Sequence, residues 1–386
     1  MEKRYLMTPG PTPVPPQVAA AMSAPIVHHR GPDFRATLAR VLERLRLVAR
    51  TENDVLLFTS SGTGAMESAV ANLCSPGDRI LVVSAGHFGE RWVELGRRYG
   101  CDVVPLRYEW GETPSGEDVA AKLEESGGAK AVYLTHSDTS TGVVADVAEL
   151  AARASASGAL VVVDAISSLG AVPFETDGWG IDVVVAGSQK ALMTPPGLAL
   201  ATVSPAALEA AGHATSPRFY FDFLRTREAH ATSLAAFTPA VSLVVGLDAA
   251  LSLLLAEGLD AAFARHVRLG RACRAGVKAM GLELFSPDED RSAVVTAIRM
   301  PADVDSSAIV LSVRERHGVT IGGGQGRLKG KIVRIGHIGY MDLFDVGAAL
   351  AALEAALVDV GADIERGLAV PAALDAYGVG VALSSP

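Results

Sequence analysis

The chain has 386 residues, 49% of them hydrophobic and 20% charged, so it can bury a large core and is not a disordered polymer. Lys and Arg total 34 against 43 Asp and Glu, a formal charge of −9, which argues against a nucleic-acid or anionic-membrane partner because both need a basic field. Three cysteines, Cys74, Cys101 and Cys273, offer neither a disulfide framework nor a metal-ligand spacing.

The length predicts two domains. Residues 1–16 read as a proline-rich extended arm, because proline removes a donor and disfavours helix in the residue before it. Charges and prolines at the start leave no apolar run for a signal peptide. The most apolar later stretch, VSLVVGLDAALSLLLAEG, is interrupted by Asp248 and falls short of a bilayer span. A soluble, cytoplasmic protein is expected.

Over 34–50 the apolar residues Leu38, Val41, Leu42, Leu45 and Val48 recur at helical spacing. A rhythm follows. Apolar runs beginning at Val55, Ile80, Val103, Ala131, Leu160, Asp182 and Leu198 read as strands. Stretches of helical composition over 66–74, 91–99, 117–126 and 146–157 separate most of them. The fold class is therefore α/β, with a mostly parallel seven-stranded sheet covered on both faces, in a large domain over 17–255. After Pro239 the pattern changes. Helices over 241–255 and 261–280 are followed by strands over 293–300 and 331–336, a helix over 306–317 and the glycine-rich loop IGGGQGRLKG. These predict a smaller α+β domain over 256–386, whose last twenty residues are weakly patterned.

Three features fall at carboxyl ends of predicted strands. SSGTGAME opens a helix, and unpaired N–H groups with Ser and Thr hydroxyls make a phosphate cradle; a plain capping turn is the other reading. LVVVDA ends in Asp164, where open α/β sheets bind ligands, although an Asp can also cap the next turn. AGSQKALMTPPG places Lys190 just past another strand, where a buried lysine can act as nucleophile and base, while a surface loop is the commoner fate of a lone Lys. Pyridoxal phosphate needs this trio: a phosphate site, a carboxylate for the ring nitrogen and a lysine for the Schiff base. In KIVRIGHIG, Arg334 could grip a substrate carboxylate or form a salt bridge.

The chain resembles the class V, fold-type-I pyridoxal-phosphate aminotransferases, in the alanine–glyoxylate and serine–glyoxylate aminotransferase family. The motifs that carry the resemblance run from TPGPTPVP through SSGTGAMES, AGHFGERW, HSDTSTGV, VVVDAISSLG, GIDVVVAGSQKAL and FTPAVSL to GKIVRIGHIG. It implies that Lys190 forms the internal aldimine with pyridoxal 5′-phosphate and that Asp164 pairs with the pyridine nitrogen. Ser61, Gly62, Thr63 and Gln189 would hold the phosphate, Phe88 would stack on the ring, and Ser140 would approach its hydroxyl side. Arg334 would take the substrate carboxylate. Thr238 would reach the neighbouring subunit's phosphate, making a homodimer with shared sites. The implied reaction moves the amino group of serine or alanine to glyoxylate or pyruvate. A lyase or desulfurase of the same fold, or a transaminase for another amine, is the alternative. A Rossmann oxidoreductase is disfavoured for want of GxGxxG. The chain departs from the family's pattern in having Phe88 where Trp or Tyr is common, Asp138 where Glu is usual, and Leu234, Ala235, Ala236 and Phe237 before the Thr238 contact. Gln325 faces the site in some relatives, but its plainer reading is a solvent loop residue.

Overall fold

The computed structural model describes residues 4–378. The arm carries a two-residue strand, β1 (Tyr5–Leu6), and leads into α1 (Pro16–Met22) and α2 (Pro32–Ala49). Helix α2 opens with a proline in its first turn, where the missing N–H costs nothing, and buries the predicted stripe. Then strands and helices alternate: β2 (Asp54–Ser60), α3 (Gly62–Leu73), β3 (Arg79–Ser84), α4 (His87–Arg98), β4 (Asp102–Arg107), α5 (Gly116–Glu125) and β5 (Ala131–Thr135). A small hairpin of β6 (Ser137–Asp138) and β7 (Val143–Val144) precedes α6 (Val147–Ala156), β8 (Leu160–Asp164), β9 (Val183–Gly187) and β10 (Gly197–Val203).

Seven of these strands form one sheet in the order β2-β10-β9-β8-β5-β3-β4. Only β10 runs antiparallel to its neighbours. The other six therefore point the same way, and their carboxyl ends share one edge. Strand β9, VVVAG, is buried at all five positions, as a strand covered on both faces must be. One face packs on α2 and α6, the other on α3 and α4, giving two apolar cores.

Beyond the sheet come α7 (Pro205–His213), α8 (Phe223–Ala231), α9 (Val241–Glu257) and α10 (Leu259–Ala279). Helices α9 and α10 meet at 85° across Gly258, whose φ of 86° suits glycine. Among the described residues no single helix is long and apolar enough to cross a membrane. The remainder is β11 (Val295–Arg299), α11 (Ser306–His317), β12 (Val319–Thr320), β13 (Gly322–Gly323), β14 (Ile332–Gly336), α12 (Leu343–Asp359) and α13 (Ala369–Gly378). Strands β11, β14 and β13 make an antiparallel sheet, and α10 to α13 share a further apolar core with it.

The weakly patterned C-terminal stretch is corrected in part. Helix α13 occupies 369–378 and buries Ala369 and Ala373. Alanine favours helix but gives almost no hydrophobic contrast, so the periodicity is faint. The rest of that stretch lies outside the described residues. Helices α7, α8 and α12 were also absent from the sequence reading. Helix α12 is apolar nearly all round, and its clear start signal is the capping box between Asp342 and Asp345.

The arm is woven into the core of the small sheet. Strand β1 pairs in parallel with β12, Tyr5 opposite Val319. Met7 lies in the same core, and its carbonyl accepts the Gly336 N–H at 2.8 Å. His266 of α10 ties the segment after β8 to the segment after β14: its Nδ1 lies 2.9 Å from the Ala171 carbonyl while Nε2 accepts the Gly339 N–H at 3.0 Å. Burial holds this ring at about 4, neutral, which suits one donor and one acceptor nitrogen.

A side chain on Gly336 would place Cβ 2.3 Å from the Thr8 carbonyl oxygen, a contact with backbone that cannot give. Gly336→Ala should therefore lift the arm and cost about 1–3 kcal/mol, the usual range for overpacking. Urea denaturation with limited proteolysis of the N-terminus checks this; an unchanged midpoint and an uncut arm would show that the arm is not seated there.

Candidate active site

Open α/β sheets bind ligands beyond the carboxyl ends of their parallel strands. Here those ends deliver the predicted residues to one edge. Strand β2 ends at Ser60, and Ser61 opens α3 with an extended backbone (ψ 166°) but no side-chain cap of its own. Gly62 sits against Ile166, whose Cδ1 lies 2.6 Å from where a Cβ would stand. Strand β8 ends at Asp164, 4% exposed, with Oδ1 accepting the Ile166 N–H at 2.8 Å. Strand β9 leads into the turn that holds Gln189 and Lys190.

Lys190 is 8% exposed. Its Nζ donates to the Pro9 carbonyl at 2.7 Å, so the arm lies directly on it. Thr12 reinforces the contact, its N–H on the Gln189 carbonyl at 3.1 Å and its hydroxyl on the Lys190 carbonyl at 2.8 Å. Burial pushes the amine down to about 8, with the Arg334 charge adding to the effect and the Asp164 and Asp138 charges opposing it. Burial likewise pushes Asp164 up to about 7, with Asp138 adding and Lys190 and Arg91 opposing. Both groups are thus poised near neutrality, where a proton moves at small cost.

Arg334 is central in β14, opposite Ala297 and Gly322. It is 6% exposed, and among the described residues it forms no ion pair. Its Nε donates to the Gly323 carbonyl at 2.9 Å and its Nη1 to the Thr139 carbonyl at 2.7 Å. Neutral acceptors orient the guanidinium without cancelling its charge, and burial lowers it to about 10. Thr139 belongs to the turn between β6 and β7, which also holds Ser140, fully buried.

Phe88 is the second residue of α4 and is half-buried, its ring 4.8 Å from the Arg91 guanidinium carbon. Arg91 Nη1 also donates to the Thr63 hydroxyl at 2.9 Å, tying α4 to the start of α3. The side-chain oxygens of Gln189 and Gln325 are buried without a protein partner. Gln325 is part-buried in a loop whose next two residues, Gly326 and Arg327, are exposed, although its own amide oxygen is covered. Thr238 makes no hydrogen bond to this cluster among the described residues. It is exposed and lines, with Ile26, His28 and Pro239, a cavity of about 680 Å³.

The sequence reading missed Pro9 and Arg91. Pro9 gives no local signal, since its carbonyl acts across 181 residues. Arg91 was legible: three residues after Phe88 on a helix, it had to share that face. Among the described residues no three His, Cys, Asp or Glu side chains group as a metal site.

Gly10 has φ of +147°, and a Cβ there would stand 2.4 Å from Lys190 Cδ and Cε. Gly10→Ala should displace the amine and cost turnover about 10²-fold, the scale of a one-ångström misplacement. Steady-state assay beside a thermal melt tests this; parental turnover would show that the arm does not position Lys190.

A family profile described as Aminotransferase class-V matches residues 4–338. The chain is 41% identical, over 93% of its length and 94% of the relative's, to a soluble hydrogenase 42 kDa subunit of Anabaena cylindrica. It is 38% identical to L-aspartate–glyoxylate aminotransferase of Paracoccus denitrificans, covering 96% of both chains. It is 36% identical to serine–glyoxylate aminotransferase of Methylorubrum extorquens over 96% and 95%. Among solved structures, ureidoglycine–glyoxylate aminotransferase from Bacillus subtilis superposes with a TM-score of 0.93 at 32% identity, covering 98% of each chain. The profile spans the arm, the large sheet and the strand of Arg334, and on that extent of agreement the chain belongs to the class-V aminotransferase family.

Proposed function

We propose that this aminotransferase moves the amino group of a small L-amino acid, serine or alanine, to glyoxylate or pyruvate. In this reading pyridoxal 5′-phosphate is the cofactor, a homodimer completes each site, and the enzyme works in the cytoplasm. The observation that carries the substrate reading is Arg334, a buried guanidinium close enough to feel the Lys190 charge and, among the described residues, without an ion-pair partner. A carboxylate is the chemistry that its free N–H groups fit. The family and the glyoxylate named in several relatives support the acceptor.

The cofactor fits the residues present. The first N–H groups of α3 have no side-chain cap and are donors that suit phosphate oxygens, as is the Gln189 amide NH₂. The buried Asp164 carboxylate accepts one amide N–H and, among the described residues, forms no ion pair, which suits a cationic ring nitrogen. When bound, pyridoxal phosphate supplies an aldehyde for amine exchange and a ring that takes up the electrons of a broken Cα–H bond. The chain supplies the rest. Ser61, Gly62, Thr63 and Gln189 hold the phosphate, and Phe88 and Ser140 orient the ring. Asp164 keeps a positive charge at the ring nitrogen. Lys190 Nζ takes the substrate proton and returns it, for which a proton affinity near neutrality suits it. Arg334 fixes the carboxylate of donor and acceptor alike. A desulfurase-like lyase would need a mobile thiol, and all three cysteines are buried. For the dimer, support comes from exposed Thr238, which lines one cavity with Ile26, 77% exposed, and follows Phe237, on whose ring Phe219, 69% exposed, packs.

Purified holoenzyme tested with a panel of amino acids against glyoxylate and pyruvate addresses the reading directly, with serine or alanine expected to lead. Turnover confined to bulky or carboxylate-free amines would overturn it. Arg334→Ala should raise KM for donor and acceptor together and lose about 2–5 kcal/mol in kcat/KM, since a buried charge pair is broken. Harm to an alkylamine equal to that for alanine would make Arg334 structural.

The pH dependence follows from burial. Only the unprotonated amine attacks an aldehyde, and it forms as pH rises through the lysine's midpoint. Uptake of pyridoxal phosphate by the cofactor-free protein should reach half its maximal rate near pH 8. A midpoint at the ordinary lysine value of 10.5 would show that burial is not felt at Lys190.

A further inference from the structure

Helix α4 begins with the residue pair His87–Phe88, yet its N-cap is Gly86, which has no side chain to satisfy the first N–H groups. The cap comes from 50 residues away. Asp138 Oδ2 accepts the Phe88 N–H at 3.0 Å and the Gly89 N–H at 3.3 Å. Ser140 Oγ accepts the His87 N–H at 2.9 Å. The other Asp138 oxygen, Oδ1, accepts the Ser140 N–H at 3.0 Å and its hydroxyl at 2.5 Å. The Asp138 carbonyl closes the same turn, accepting from Thr141 at 3.1 Å and Gly142 at 2.9 Å. Between them lies Thr139, whose carbonyl seats Arg334. One carboxylate, 4% exposed, therefore joins the mounts of Phe88, Ser140 and Arg334.

Gly86 belongs to the same device. Its φ is −175°, an extended backbone that any residue adopts, so conformation does not demand glycine. Space does: a Cβ there would stand 2.4 Å from Asp138 Oδ2. The glycine keeps clear the path by which the carboxylate reaches α4. An anion at a helix N-terminus is also favoured by the helix dipole, which compensates part of its burial.

We propose that Asp138 is the positioning residue of this site: by capping α4 with one oxygen and clamping the Ser140 turn with the other, it sets where the Phe88 ring, the Ser140 hydroxyl and the Arg334 guanidinium stand, and Gly86 is glycine to admit it. The inference rests on the proposed roles of those three residues. Asp138 itself touches neither substrate nor cofactor in this scheme. An asparagine cannot replace it, because its single oxygen serves one side while its NH₂ faces donors on the other. A glutamate keeps both oxygens but must fit one more methylene beside Gly86.

The test compares Asp138→Asn, Asp138→Glu and Gly86→Ala with the parent. Hydrogen exchange of the cofactor-free proteins reads the cap itself, and His87, Phe88 and Gly89 amides should exchange about tenfold faster or more in Asp138→Asn and Gly86→Ala. In the holoenzymes the visible circular dichroism of bound pyridoxal phosphate should change alike in these two variants. KM for the amino donor should rise with kcat falling, together about 10²-fold in kcat/KM, while Asp138→Glu recovers part of each signal. Gly86→Ala keeps the question open to measurement if Asp138→Asn does not fold. Parental exchange at the three amides, or faster exchange with parental dichroism and kinetics, would overturn the proposal. A parent that takes up no pyridoxal phosphate would instead sink the functional reading, leaving the exchange result to judge the cap alone.

Discussion

Four ionisable groups, Lys190, Asp164, Asp138 and Arg334, are each less than a tenth exposed, two of them at the carboxyl edge of the large sheet and two brought to it by the β6–β7 hairpin and the small sheet. Taking such groups out of water costs several kcal/mol apiece unless other partners replace it. This chain answers mainly with neutral partners. Lys190 and Arg334 donate to the carbonyls of Pro9, Gly323 and Thr139. Asp164 and Asp138 accept from the amides of Ile166, Phe88, Gly89 and Ser140 and from the Ser140 hydroxyl. A neutral partner aims a charged group without neutralising it. A direct ion pair would cancel the field that a ligand needs, so the cluster trades stability for unspent charge. The depressed amine and the elevated carboxyl are the visible result.

The need for those carbonyls and amides explains features that look unrelated. The arm must run between the two sheets, because Pro9 supplies the acceptor for Lys190. It is held there by pairing with β12 and by the Gly336 amide. The glycine loop must fold back on β14, because Gly323 supplies one acceptor for Arg334. The β6–β7 turn must lie against α4, because its Asp138 caps that helix. Gly10, Gly86 and Gly336 then follow as places where the backbone or a buried side chain comes too close for a Cβ.

The large sheet was almost wholly legible. Its inner strands are continuous apolar runs, since strands covered on both faces leave no polar alternation to confuse the period, and the edge strands β2 and β4 keep an apolar centre. Helices such as α12 and α13 were not, because rows of alanine and apolar residues on every side carry little periodic contrast. The site divides in the same way. Ser61, Asp164 and Lys190 follow strands directly, so strand positions alone bring them to one edge. Arg334 joins them only through the packing of a second sheet, and Pro9 only through a carbonyl with no side-chain signature. Gln325 sits between the two cases: its loop is exposed at Gly326 and Arg327, as glycine neighbours suggest, yet its amide oxygen is covered.

The Arg334 contacts also show why a guanidinium is used. One N–H goes to the glycine loop of the small sheet and one to the turn beside the large sheet, so the side chain bridges two parts of the molecule. A planar fork can spend two donors this way and still present others at a fixed angle. A lysine would meet the same two carbonyls with rotatable donors on a point charge and would leave no preset direction for a carboxylate. The seat proposed for the substrate's acid group is thus assembled from the small sheet and the β6–β7 turn at once. Its geometry depends on how the small sheet sits against the Asp138 turn, which ties carboxylate recognition to the same element that fixes Phe88 and Ser140.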